Sequence, residues 1–241
     1  GYDLTRLFVG SEGTLGVITE VLVRLARLPE AIASAVCAFP DIDSAVSCVS
    51  DAIAVGIPLA RSELLDDIQM DAVNRYANLD YTVAPTLFFE FHGSESAVAE
   101  QASLVGEIAR RHGGEDFRWA GNEGERERLW QARHDGYYAC LALRPGSLGY
   151  VTDVCVPMSR LAECIALAKS DLASSSLIAP VFGHVGDGNF HVVYIIDPNN
   201  PRELKEAAAL GRHLVDHALA FGGTCSGEHG IGLGKIDALG G

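Results

Sequence analysis

The feature that most constrains the fold is an Asp-Gly pair, Asp187-Gly188, which separates two apolar runs at residues 178–184 and 190–196. Asp-Gly is favoured at the centre of two-residue turns between antiparallel strands, so this segment predicts a β-hairpin. In the register that such a turn imposes, His184 lies opposite His191, with Cβ atoms roughly 4.5–5.5 Å apart on one face of the sheet. A helix is disfavoured here because the segment contains several glycines. The chain is therefore predicted to contain an antiparallel sheet.

Two imidazoles at this separation can share one divalent ion, and Glu228 is the candidate third ligand. Two histidines and a carboxylate that leave one position open are typical of catalytic metal sites rather than closed structural ones. The donor set suits Zn²⁺, Mn²⁺ and Fe²⁺, so the sequence does not select the metal. His229 follows Glu228 between two glycines, where a flexible backbone allows both side chains to face one cavity. We interpret His229 as a general base, with support of the metal site as its alternative role.

Arg133 is a candidate for holding a substrate carboxylate. It lies on a predicted helix with Trp130 and Tyr137 at helical spacing, so the three are expected to share a face. An arginine among aromatic side chains can bind a carboxylate through two parallel hydrogen bonds. An ion pair with Glu125 or Glu127 is an equal alternative at this point.

Polar residues near the predicted hairpin are further candidates for substrate contacts. Asn189, just past the turn, is interpreted as a substrate contact, with stabilisation of the loop as its alternative. Thr152 and Asp153 lie on a predicted strand and are expected to line the same cavity, although a surface position fits them equally well. Asp187 is assigned to the turn rather than to the metal.

Composition limits the classes of function. The formal net charge of −14 argues against nucleic acid as the main partner. No long uncharged apolar run is present, so we expect no transmembrane segment. The six cysteines include no CxxC pair, which indicates reduced thiols in an intracellular protein. The chain begins at Gly1 without Met and neither end shows a targeting signal, so we expect a piece of a longer protein.

The order of predicted elements indicates a duplicated fold. Strands at residues 34–39, 58–65, 86–92 and 116–119 alternate with helices in the order of a ferredoxin-like split βαβ unit. A long helix over residues 123–143 follows, and the pattern then returns without an obvious last strand. The predicted class is α+β: duplicated split βαβ units that form a mostly antiparallel sheet with helices on one face. Residues 17–25 also alternate like a strand.

Several motifs give this chain a family resemblance. They include Phe8–Gly16, Trp130–His134, Thr152–Pro157, Gly183–His191 and Gly223–Gly232. On these residues the chain resembles the carboxyl-terminal part of FAD-linked D-2-hydroxy acid dehydrogenases of the vanillyl-alcohol oxidase type. The second and third motifs are similar to those of the lactate-type branch, and the resemblance covers nearly the whole chain.

The resemblance implies a division of the chain and a role for each candidate residue. Residues 1–28 are expected to be the end of an FAD-binding domain, and residues 29–241 the substrate, or cap, domain. The residues expected near the flavin are Ser11, Gly13, Thr14, Gly16 and Ile18. The implied metal ligands, for Zn or Mn, are His184, His191 and Glu228. His229 is the implied base, and the resemblance raises Arg133 above its ion-pair alternative as the carboxylate-binding residue.

The implied reaction is oxidation of a D-2-hydroxy acid to the 2-oxo acid, with D-lactate the first candidate and D-2-hydroxyglutarate or glycolate as alternatives. The implied electron acceptor is cytochrome c, a quinone or an electron-transfer flavoprotein. The expected location is cytoplasmic, with peripheral membrane attachment as an alternative, or mitochondrial in a eukaryote. The chain alone is not expected to turn over. Two other classes stay open: a metal-dependent hydrolase and a module that binds hydroxy acids without chemistry.

Overall fold

The structure is a computed structural model that describes residues 1–120 and 122–239. The strands are β1 (Ala31–Ala38), β2 (Leu59–Leu65), β3 (Thr86–Gly93), β4 (Glu115–Ala120), β5 (Leu148–Val151), β6 (Val154–Cys155), β7 (Val181–Gly183) and β8 (Asn189–Ile196). The α-helices are α1 (Leu4–Leu7), α2 (Ile42–Ala54), α3 (Asp67–Ala77), α4 (Glu95–Arg111), α5 (Glu123–His134), α6 (Gly136–Ala142), α7 (Met158–Asp171) and α8 (Pro201–Ala220). Among the described residues, no helix combines the length and apolar composition that crossing a membrane requires.

One sheet organises these elements. Its strand order is β4-β1-β3-β2-β7-β8-β5, with β6 also pairing with β8, and the described pairs are antiparallel. Residues 31–120, the first unit, contain β1–β4 in split βαβ order. Residues 148–221, the second unit, repeat the order without a final strand. The units join where β2 pairs with β7, through Leu64–Gly183 and Leu65–Phe182. The predicted α+β class is confirmed.

Most residues of the central strands are buried, and neighbouring residues along a strand point to opposite faces of the sheet. We call the face that carries Phe89 the first face and the face that carries Phe88 the second face. On β3, Phe88 and Phe89 are both fully buried, and each belongs to a different hydrophobic core. The long helices α2, α4, α7 and α8 pack on the first face, as predicted for helices on one face. The shorter helices α3, α5 and α6 cover part of the second face, which the sequence prediction did not include. The second face carries the candidate site.

The predicted long helix over residues 123–143 is divided into α5 and α6 at Asp135. Gly136 lies against Gln69 of α3, whose side-chain amide donates to the Gly136 carbonyl at 3.0 Å. A Cβ at Gly136 would meet Gln69 Nε2 at 3.2 Å, so this approach favours glycine. The division sets the end of α5 beside the sheet, and Arg133 occupies the last turn of that helix.

The β7–β8 hairpin is confirmed, but the predicted two-residue turn is wrong. Residues 185–187 form a 3-10 turn, and Phe182 rather than His184 lies opposite His191. The following residue, Gly188, takes the left-handed conformation at φ +77°. A Cβ there would meet the Val156 carbonyl oxygen at 2.1 Å. The turn therefore depends on glycine for close packing as well as for backbone conformation.

Two other strand predictions need correction. The predicted strand that carries Thr152 and Asp153 is interrupted at these two residues, which separate β5 from β6. Residues 17–25 have no regular structure and are exposed. A strand requires a neighbour to complete its backbone hydrogen bonds, and none of the strands in the described part of the chain lies beside this segment.

Candidate metal and substrate site

Three predicted ligands meet on the second face of the sheet. His184, His191 and Glu228 each offer a ligand atom, and these atoms lie within 4.8 Å of one another. Glu228 Oε1 is 3.1 Å from His191 Nε2 and 3.4 Å from His184 Nε2. The structure thus brings together residues that are far apart in sequence and whose donor types suit a divalent transition-metal ion.

His191 is oriented by the backbone beside it. Its ring is almost fully buried on β8, and Nδ1 lies 3.1 Å from the Thr152 carbonyl oxygen, to which the Nδ1–H donates. This leaves the Nε2 lone pair directed at Glu228. Burial lowers the pKa of His191, which favours the neutral imidazole that can act as a ligand.

His184 is oriented in the same way by a carboxylate. Its Nδ1 lies 2.6 Å from Oε1 of Glu63, a residue of β2 in the first unit. With Nδ1–H donating to Glu63, the Nε2 lone pair also faces Glu228. Two imidazole lone pairs and a carboxylate oxygen then converge without a hydrogen between them, an arrangement that a cation stabilises. The hydrogen bond to Glu63 raises the pKa of His184, so protons compete with a metal at this ring.

Asp153 holds the segment that carries Glu228. Its Oδ2 accepts hydrogen bonds from the Ser226 hydroxyl at 2.7 Å and from three consecutive backbone N–H groups at 2.8–3.0 Å. Those N–H groups belong to residues 227–229. Burial opposes ionisation, but these bonds outweigh it and hold the pKa of Asp153 well below its usual range. Such a nest of backbone donors binds a carboxylate tightly.

Asp153 was predicted from the sequence only to line the cavity, and its contact with residues 226–229 was not predicted. The signal that points to it is the glycine-rich run Ser226–Gly230, where successive N–H groups can turn toward one anion. The interruption between β5 and β6 is what frees the Asp153 carboxylate to reach that run.

His229 lies beside the three candidate ligands. Its ring stacks on His191 with centroids 4.9 Å apart and planes inclined by 11°. Its Nε2 is 3.5 Å from Glu228 Oε1, and about half of the side chain is exposed. Glu228 and His229 therefore both lie against His191, while their opening into a common cavity stays a prediction.

Arg133 forms an ion pair with Glu63, a partner that the sequence did not predict. Its Nε and Nη2 lie 3.1 and 3.0 Å from Glu63 Oε2, and its guanidinium lies 5.0 Å from the centre of the Phe182 ring. The alternatives Glu125 and Glu127 are not its partners. Within the described chain, Arg133 Nη1 meets no acceptor, so it is the nitrogen left for a ligand.

Asn189 and Thr152 have structural partners. Asn189 donates to Asp153 Oδ1 at 2.8 Å and to the Val154 carbonyl at 2.9 Å, while its own Oδ1 is buried without a partner among the described residues. The Thr152 hydroxyl exchanges hydrogen bonds with the backbone of Val192 at 3.0 Å. The substrate contacts expected of these two residues stay predictions, and the Thr152 hydroxyl is already engaged.

The predicted flavin contacts lie outside this cluster. Ser11, Gly13, Thr14, Gly16 and Ile18 belong to a largely exposed segment. The segment is tied to the site by Glu12, whose carboxylate accepts the backbone N–H groups of Ile231 and Gly232.

A cavity of about 300 Å³ opens beside His184. Its lining includes Arg133 and Glu63, together with Arg61 and Trp130. The Arg61 guanidinium lies 5.1 Å from the centre of the Trp130 ring and is half exposed. A larger cavity of about 660 Å³ lies elsewhere, between the start of α2 and the helix α7, and contains none of the predicted site residues.

The curated relatives of this chain include D-lactate dehydrogenases and a glycolate oxidase subunit. The probable mitochondrial D-lactate dehydrogenase of Danio rerio is 54% identical over 235 residues, covering 98% of this chain and 47% of that protein. The mitochondrial D-lactate dehydrogenase [cytochrome] of Arabidopsis thaliana is 45% identical, covering 99% and 42%. Glycolate oxidase subunit GlcD of Escherichia coli is 35% identical, covering 99% and 48%. The chain thus spans about half the length of these curated relatives.

Solved structures share the fold at low identity. Alkyldihydroxyacetonephosphate synthase superposes with a TM-score of 0.69 at 18% identity, covering 95% of this chain and 46% of that one. The 4-ethylphenol oxidase of Gulosibacter chungangensis gives 0.61 at 13% identity, covering 83% and 46%. The family model "FAD linked oxidases, C-terminal domain" matches residues 28–240. With the resemblance already seen in its motifs, the chain belongs to the family of FAD-linked oxidase C-terminal domains.

Proposed function

We propose that this chain is the substrate- and metal-binding part of an FAD-dependent dehydrogenase that oxidises a D-2-hydroxy acid, D-lactate first, to the 2-oxo acid. The observation that carries the proposal is the convergence of His184, His191 and Glu228 beside His229 and Arg133. A 2-hydroxy acid has a hydroxyl that a metal ion and a base can bind and deprotonate, and a carboxylate that a cation can hold. The names of the Danio rerio and Arabidopsis thaliana relatives support D-lactate as the substrate.

Each side chain has a distinct task in this proposal. A divalent ion, Zn²⁺ or Mn²⁺, would supply Lewis-acid polarisation of the hydroxyl, and FAD would supply the redox chemistry by accepting the hydride. Arg133 binds the substrate carboxylate through Nη1 and so fixes the direction of the α-hydrogen. A ring nitrogen of His229 accepts the hydroxyl proton, since this imidazole is exposed on the open side of the site.

We assign residues 1–28 to the end of the FAD-binding domain and residues 29–241 to the cap domain. Exposed apolar side chains support this division: Val17, Leu22 and Leu28 are 88%, 100% and 94% exposed. Such a run is typical of a surface that packs against another part of a protein. The proposed flavin contacts are Ser11, Gly13, Thr14, Gly16 and Ile18.

The electron acceptor proposed first is cytochrome c, because the Arabidopsis thaliana relative is a D-lactate dehydrogenase [cytochrome]. A quinone and an electron-transfer flavoprotein are the alternatives. A mitochondrial location in a eukaryote is supported by the same relative and by that of Danio rerio.

A dicarboxylate such as D-2-hydroxyglutarate is the second candidate substrate, favoured by one observation. Arg61 lines the same cavity as Arg133, and its ion pair with Glu90 is long, at 3.6 Å. Arg61 would then bind the distal carboxylate while Arg133 binds the carboxylate next to the hydroxyl. Glycolate remains an alternative through the Escherichia coli relative. Membership of an FAD-linked family argues against the hydrolase and against a module without chemistry.

The test uses the full-length flavoprotein. Wild-type protein should hold one divalent ion per chain and reduce its FAD with D-lactate much faster than with L-lactate. His191→Ala should lose the ion and at least about 100-fold in kcat/KM, since a ligand is removed. The matched control is His213→Ala, an exposed histidine of α8 outside the site. Retention of the metal and of turnover by His191→Ala would overturn the proposal, and preference for D-2-hydroxyglutarate would select the second candidate.

A further inference from the structure

Glu63 is a buried carboxylate whose two oxygens serve two different parts of the site. Oε1 accepts from His184 Nδ1 at 2.6 Å, and Oε2 accepts from Arg133 Nε and Nη2 at 3.1 and 3.0 Å. Its side chain is only 8% exposed. A carboxylate at this depth is stable only when its lone pairs are satisfied, and here both oxygens are.

The sheet itself places Glu63 where it can reach both partners. β2 and β7 pair through Leu64–Gly183 and Leu65–Phe182. One further step of this register sets Glu63 opposite His184, across the junction between the two units. Because Leu65 belongs to the core of the second face, Glu63 points to that face too, where α5 presents Arg133.

These contacts fix two variables that the proposed reaction depends on. Donation from Nδ1–H to Glu63 selects the tautomer of His184 in which Nε2 is free to act as a ligand. Pairing with two nitrogens of Arg133 fixes the plane of the guanidinium and leaves Nη1 for the substrate. One carboxylate therefore sets the direction of a candidate ligand and of the substrate-binding cation together.

We propose that Glu63 is a positioning residue that couples metal affinity to substrate binding, through His184 on one oxygen and Arg133 on the other. This inference rests on the proposed function, because it assigns Glu63 its effect through residues of that site. The neutral isostere breaks the coupling whichever way its amide is turned. If its oxygen faces His184, its NH₂ group faces the donors of Arg133, and the opposite orientation faces an NH₂ group toward Nδ1–H.

The experiment compares Glu63→Gln with wild type in the full-length holoenzyme, using Mn²⁺ and Zn²⁺ titrated against a competing chelator. The expected results are a loss of about 10- to 100-fold in metal affinity and a rise in KM for D-lactate that exceeds the fall in kcat. The control is Glu90→Gln, another buried carboxylate on the same face, paired with His92 and Arg61. It should keep wild-type metal affinity, which separates loss of a specific contact from loss of a buried charge.

The outcomes distinguish this inference from the proposed function. If wild type binds no divalent ion, the proposed metal site fails and takes the inference with it. If wild type binds the ion and Glu63→Gln keeps both its metal affinity and its KM, only the role of Glu63 is overturned. Should Glu63→Gln fail to fold, Glu63→Asp replaces it, since the shorter side chain keeps the charge but cannot reach both partners. Wild-type affinity and KM in Glu63→Asp would overturn the inference equally.

Discussion

The two units differ most after their second helix. In the first unit, α4 leads into β4, which pairs with β1 over the register from Ser34–Ala120 to Ala38–Glu115. In the second unit, α8 leads into a single bridge between Thr224 and Cys155. This bridge occupies the place of the missing last strand, because Cys155 lies in the strand that corresponds to β1. The chain then leaves the sheet and wraps around Asp153.

This difference explains why the candidate site lies in the second unit and not in the first. In a full strand, neighbouring side chains point to opposite faces, so Glu228 and His229 could not both face the same group. In the loop, the Asp153 carboxylate fixes the backbone instead, and both side chains lie beside His191. The second unit lacks the pairing of a last strand, and hydrogen bonds to the buried Asp153 carboxylate hold residues 227–229 instead.

The units also differ in the segment that connects their second and third strands, which is again shorter in the second unit. The first unit joins β2 to β3 through α3, which covers the second face of the sheet. The second unit joins β7 to β8 through one 3-10 turn. The short turn adds no helix over that face, and the His184 side chain is 35% exposed.

The largest effect is expected from removing the negative charge of Asp153, which holds the loop where the first unit has a strand. Asp153→Asn leaves several N–H groups of the loop without a charged acceptor, so we expect a loss of about 3 kcal/mol or more in the free energy of unfolding. Because the segment that carries Glu228 is then no longer held by Asp153, metal affinity should also fall by about 100-fold. Urea unfolding and metal titration measure the two effects, with Asp216→Asn, on the exposed side of α8, as control. Wild-type values for Asp153→Asn would mean that the loop is held by other contacts.

A smaller effect is expected from changing the shape of the loop while keeping the anion. A Cβ at Gly227 would lie 1.9 Å from Asn189 Nδ2, whereas a Cβ at Gly234 would meet nothing within 4 Å. Gly227→Ala should therefore cost about 1–3 kcal/mol and about 10-fold in metal affinity. Gly234→Ala should change stability by no more than about 0.5 kcal/mol. Equal effects of the two substitutions in the same titrations would show that packing against Asn189 does not shape the site.

The smallest effect concerns Glu203, an acidic residue in the first turn of α8 that pairs with Arg144. Hydrogen bonds from Arg144 lower the pKa of Glu203 to about 2. A depressed pKa means that the contribution to stability is present above the unfolded-chain pKa of about 4.3 and is lost as the pH falls toward the folded value. Wild type should exceed Glu203→Gln slightly in urea midpoint at pH 7, and the difference should shrink below about pH 4. A difference that is independent of pH would assign the effect to packing rather than charge.

How far the sequence could predict this molecule depends on the range of each interaction. The apolar runs and the Asp-Gly pair predicted the order of strands and helices along the chain and the hairpin, because both signals are local. The turn type was wrong, which displaced the register by two residues. Since side chains alternate with a period of two, the displacement left His184 on the face of His191, and the candidate ligands were still brought together.

The missed residues depend on distant partners. Asp153 acquires its role only when residues 226–229, far along the chain, fold back on it. Glu63 meets His184 only once β2 and β7 are paired, which no local pattern shows. Residues 17–25 were predicted as a strand from alternation alone. Alternation describes a segment, whereas a strand needs a neighbour.

The junction between the units makes the candidate site a property of the whole sheet. The candidate ligands His184, His191 and Glu228 belong to the second unit and the segment after it, but Glu63 comes from the first unit and Arg133 from the helix between the two. A fragment that holds only the second unit would keep the candidate ligands and lose the carboxylate that orients His184. Any change that weakens the pairing of β2 with β7 would therefore reach the site without touching a ligand.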